Sequence, residues 1–103
     1  MAVKIQLRKV SIIAERVLRD EILDLLRKHG ATGWTLTPVQ GEGAHGSRAS
    51  ELEGSNVQID TLISTHRADR IMDEIACNYF ADWSVIVYAA DVDVLRAEKY
   101  EKS

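Results

Sequence analysis

Alternating and helically spaced apolar positions divide this chain into six elements. Val3, Ile5 and Leu7 alternate with polar residues, and 10–14 is nearly continuously apolar, so 3–14 is expected to be a first strand. The apolar phase changes near Lys9, which marks either a bulge or the true strand start. Leu18, Ile22, Leu25 and Leu26 fall at i, i+4, i+7 and i+8 and predict a helix over 15–29, with Gly30 just past its end. Residues 34–40 suit a second strand, in which Pro38 must sit where no ladder hydrogen bond is needed. Val57, Ile59, Thr61 and Ile63 share one face of a third strand over 56–64. A second helix starts near Thr65 or His66, with Ile71, Ile75, Tyr79 and Met72, Ala76, Phe80 as two adjoining i, i+4 rows. Residues 84–95 read as the last strand, followed by a charged tail, 96–103.

The order βαββαβ predicts an α+β fold, a ferredoxin-like sandwich with two helices on one face of a four-stranded antiparallel sheet. The second sheet face then carries Leu62 and Ile86, with Tyr88 and Val92 as further candidates. An uncovered apolar face is a liability unless a ligand or another subunit covers it, so self-association is expected.

Size and composition narrow the class. The 103 residues fit one domain, and 46% hydrophobic with 28% charged residues is ordinary for a soluble globular chain. A formal charge of −3 gives no basic footprint for nucleic acid. The longest strongly apolar run, 85–90, is too short to span a bilayer, and the N-terminal segment lacks the apolar core of a signal peptide. A single cysteine, Cys77, excludes an internal disulfide and fits a reducing compartment, so the cytoplasm is expected.

Chemistry-bearing residues concentrate in 41–54, where four of the six glycines lie. Glycine leaves backbone N–H groups open to anionic oxygens. Ser47 adds a hydroxyl and Arg48 a forked cation, a combination suited to phosphate. A plain surface hairpin with strain-relieving glycines is the alternative. His29, His45 and His66 have no metal-ligand spacing. Cys77 reads as a small buried hydrophobe and Trp34 as core. No catalytic constellation emerges.

The run from Gly30 to Gly43, GATGWTLTPVQGEG, resembles the second strand and the start of the T-loop in PII signalling proteins. The resemblance extends from about Lys9 to Leu95 and is nearest to the branch associated with bicarbonate transporters and carboxysomes. Glu15-Arg16-Val17-Leu18, Gly46-Ser47-Arg48, Ser55-Asn56-Val57 and Phe80-Ala81-Asp82-Trp83 look similar in order and spacing. The resemblance implies a homotrimer with adenine nucleotides in the clefts between subunits and residues 41–54 as T-loop. Thr32 and the backbone near Leu62 and Ile63 would border the base. Gly41, Glu42 and Gly43 would approach ribose and phosphate, and Gly46, Ser47 and Arg48 would hold phosphate oxygens. A neighbouring subunit would contribute Trp83, Ser84, Val85 and Ile86.

Several positions depart from that pattern. His45 stands where nitrogen-sensing members have a glutamine that helps coordinate Mg²⁺, and no tyrosine matches the uridylylated one. The B-loop is reduced to Phe80-Ala81-Asp82-Trp83, and Glu51 replaces a second arginine. These departures favour ADP or AMP over MgATP, with bicarbonate as a further small ligand. The expectation is a non-enzymatic sensor with no metal and no catalytic cofactor. Its output would reach a bicarbonate transporter or a carboxysome-related protein. A ligand-independent trimeric adaptor is one alternative. A slow nucleotide hydrolase using His45 with Glu42 or Glu51 is another.

Overall fold

Alternation in the central strand decides how the layers pack. In the computed structural model, which describes residues 3–40 and 56–95, β1 (Ile5–Glu15) lies between β3 (Asn56–Ile63) and β4 (Ile86–Val94). β2 (Thr35–Val39) pairs with β3 at one edge, giving the order β2-β3-β1-β4, with all pairs antiparallel. The first helix opens with a 3₁₀ turn (Arg16–Leu18) and continues as α1 (Arg19–Lys28). The second, α2, spans Thr65–Tyr79. The ferredoxin-like expectation is met. The T-loop at 41–54 and the tail at 96–103 lie outside the described residues.

Paired residues on neighbouring strands share a face. Val10, Ile12 and Ala14 of β1 therefore stand with Val57, Ile59 and Ile63 of β3 against the helices. Leu18, Ile22, Leu25 and Leu26 close this core from the first helix, and Ala68, Ile71, Ile75 and Tyr79 close it from α2. The phase change near Lys9 is neither a bulge nor a strand start. β1 pairs residue for residue with β4 from Ile5↔Val94 to Ile13↔Ile86. Ile5 and Leu7 lie with Ser11 and Ile13 on the face away from the helices, and Val10, Ile12 and Ala14 supply the other.

Each strand departs from its expected bounds by one or two residues, and Cys77 departs in its burial. β4 begins at Ile86, the first residue with a partner in β1, rather than at residue 84. Cys77 is exposed rather than buried. Two residues beyond buried Ile75, it sits about 200° around the helix, on the solvent side. Trp34 is partly buried against the core, with Arg27 stacked 4.8 Å from its ring centroid.

The turn between α1 and β2 depends on Gly30, whose φ is +93°. Arg67 of α2 occupies the space that a Cβ there would need, and its Nη1 donates to the His29 carbonyl at 2.9 Å. Gly30→Ala therefore meets both backbone strain and a displaced arginine. It is expected to lower stability by about 1–2 kcal/mol, measured as a lower urea midpoint at unchanged slope.

Candidate functional site

The sheet face opposite the helices is apolar around a polar centre. Leu62, Ile13, Ile86, Tyr88 and Val92 share this face by register. Ile86 is 51% and Tyr88 47% exposed. Between them Ser11, fully buried, donates its hydroxyl to Asp60 Oδ1 at 2.6 Å. Gln58 Nε2 approaches the same oxygen at 3.2 Å. The apolar residues were legible from alternation, but this polar centre was missed. The signal existed, because Ser11 and Asp60 have the parity of the open face.

The candidate residues fall into two groups. Thr32 lies in the exposed segment before β2, and the Thr61 hydroxyl donates to the neighbouring Gly33 carbonyl at 2.7 Å. That bond sets Thr32 beside the end of β3, where Leu62 is half-buried on the open face. The Ile63 side chain is fully buried in the core, so this residue offers a ligand only its backbone. The second group, Trp83 to Ile86, lies near the opposite end of the sheet. Ile86 pairs with Ile13 and Ile13 with Gln58, four residues before Leu62, or roughly 13 Å along the strand. Trp83 is 36% exposed, its N–H donating to the Tyr79 carbonyl at 2.8 Å, and Ser84 and Val85 are half-buried.

β2 ends with Val39 beside Asn56, so the chain enters 41–55 near the Trp83–Ile86 end rather than the Thr32 end. Gly41, Glu42, Gly43, His45, Gly46, Ser47 and Arg48 lie outside the described residues. Among the described residues there is no group of three or more His, Cys, Asp or Glu able to hold a metal ion.

The turn that delivers Thr32 is tied to α2 by charge. Glu74 accepts from Lys28 Nζ at 2.7 Å and faces His29 Nε2 at 2.8 Å. Hydrogen bonds from Lys28 and then His29 hold its carboxyl below the usual carboxylate range, against a partial loss of solvation. Nearby, Tyr79 donates its hydroxyl to Glu21 at 3.0 Å; burial, then that carboxylate, pushes the phenol up to about 12.

Comparison with known proteins fits this architecture. Residues 7–99 match the family described as Nitrogen regulatory protein P-II. The chain belongs to the PII family. It is 37% identical to a PII-like signalling protein from Thermus thermophilus, with a TM-score of 0.81 over 94% of this chain and 97% of that one. CPII, a nitrogen regulatory PII-like protein from Thiomonas intermedia, shares the fold at 23% identity and a TM-score of 0.84 in its complex with ADP, AMP and bicarbonate. That alignment covers 97% of this chain and 98% of CPII. A second CPII structure, bound to ADP and bicarbonate, gives 24% identity and a TM-score of 0.85, covering 97% and 99%.

The Glu74 contacts make a pH prediction for this PII-like chain. A carboxyl with a lowered folded pKa contributes stability above its ordinary value of about 4.5 and loses it as pH falls through the folded value. Glu74→Gln is expected to melt at a lower temperature than the wild type at neutral pH. The gap is expected to narrow as pH is taken below about 4.5 in a series of thermal melts.

Proposed function

We propose that the chain is a non-enzymatic PII-like regulator that binds adenine nucleotides, ADP or AMP in preference to MgATP, in clefts between the subunits of a homotrimer. The observation that carries this reading is that the chain shares, over 97% of its length, the fold of a protein bound to ADP, AMP and bicarbonate. Two features of the chain itself support it. The open face carries half-exposed Ile86 and Tyr88 around buried Ser11, which suits cover by further copies. One chain also holds its candidate residues at two ends of its sheet, so a cleft between neighbours is where they can meet.

In this reading Thr32 and the β3 end border the base. Ser47 and Arg48 take the phosphate, aided by the backbone of Gly41, Glu42, Gly43 and Gly46. Residues Trp83 to Ile86 supply a neighbour's wall. Phosphate contacts made from the T-loop give the nucleotide a differential affinity for one loop state, which is the condition for a signal. Bicarbonate is the second ligand, and a bicarbonate transporter or carboxysome-related protein is the partner. The cytoplasm is the compartment; no helix among the described residues is long and apolar enough to cross a membrane.

Calorimetric titration with ADP, alone and with bicarbonate, tests the reading. Saturation near one nucleotide per chain, with affinity raised by bicarbonate, is the expected result. Absence of saturation with AMP, ADP and ATP overturns it and leaves a ligand-independent adaptor; turnover of nucleotide leaves a hydrolase. Arg48→Ala is expected to weaken ADP binding by about 1.5–3 kcal/mol, the range of a hydrogen bond to a charged group.

A further inference from the structure

β3 buries Val57, Ile59, Thr61 and Ile63 in one row, and Thr61 alone of the four is polar. At 2% exposure its hydroxyl is withdrawn from water among aliphatic neighbours. Valine has the same shape and would avoid that desolvation. The hydroxyl is spent on one bond, to the Gly33 carbonyl at 2.7 Å. Gly33 belongs to the irregular segment 31–34 that brings the chain from α1 into β2. Ala31 N–H donates to Leu26 O at 3.0 Å and Arg67 holds the His29 carbonyl, so the start of the turn is fixed. Further on, Gly33 is exposed and has nothing within 4 Å of the place a Cβ would take. Packing holds Ala31 and Trp34 at the two ends of the segment, but it does not locate Gly33 between them.

We infer that Thr61 is a positioning residue for the nucleotide: by holding the Gly33 carbonyl it fixes the backbone that presents Thr32 to the base. This inference rests on the functional reading above. Valine matches threonine in shape and keeps the core position filled, while the Gly33 carbonyl loses its donor. Thr61→Val thus loosens the segment without unfolding the sheet. The contact lies at the base end of the ligand, so ADP and AMP suffer alike.

The test compares wild type, Thr61→Val and Thr61→Ser by calorimetry with ADP and AMP, thermal melting, and amide hydrogen exchange across 31–34. In Thr61→Val both affinities are expected to fall about tenfold by the same factor, as for loss of one hydrogen bond. Exchange across 32–34 rises while the melting temperature stays close to wild type. Thr61→Ser restores affinity and protection. Arg67→Gln unfastens the segment from its other end and is expected to lower both affinities and raise exchange across 32–34, with a lower melting temperature because Arg67 also packs beside Gly30. Wild-type binding matched by Thr61→Val overturns the inference alone, as does a loss that Thr61→Ser does not repair. A wild type that binds no adenine nucleotide overturns the functional reading, and this inference with it.

Discussion

A sheet with two apolar faces and helices for only one of them is the constraint on which the rest of this structure depends. β1 lies at the centre, and its parity assigns every neighbour. Val10, Ile12 and Ala14 face the helices with Ile59 and Ile63, while Ile13 faces outward with Leu62, Ile86 and Tyr88. Helices cannot satisfy the second set, because both are committed to the first. Ser11 and Asp60 sharpen the point. A short hydrogen bond of 2.6 Å between a buried hydroxyl and a carboxylate interrupts the apolar surface at its middle. A surface that is apolar around a satisfied polar centre favours one registered partner over indiscriminate sticking.

The same geometry governs where the proposed nucleotide-binding residues stand. Antiparallel pairing sends Thr32 and the β3 end one way, and the entry to residue 41 and the Trp83–Ile86 turn the other. The joint between α1 and β2 is correspondingly well fastened for an irregular segment. Gly30 adopts the left-handed conformation, Arg67 packs into the space this leaves, and Glu74 draws Lys28 and His29 onto α2. Stability and the placement of the segment that carries Thr32 therefore share contacts at this joint.

Much of the fold was legible in the sequence, because it rests on local periodicity. The alternation of Val57, Ile59, Thr61 and Ile63 and the spacing of Leu18, Ile22, Leu25 and Leu26 survive unchanged as buried rows. Gly30 was readable as a helix stop, although its second role, making room for Arg67, was not. What escaped were features created by pairing at long range. Ser11 meets Asp60 forty-nine positions away, and Thr61 meets Gly33 across twenty-eight. Cys77 was misjudged for a different reason: its apolar sequence neighbours obscured its angular position on the helix. The residues expected to hold phosphate, from Gly41 to Arg48, rest on composition and resemblance.

The central claim is that further copies of this chain cover the open face. Sedimentation equilibrium at micromolar concentration measures this directly, without ligand. The account predicts a particle of three times the 11.5 kDa chain mass, in which Tyr88 and Ile86 are withdrawn from solvent. A stable 11.5 kDa monomer with that face open to water would contradict it.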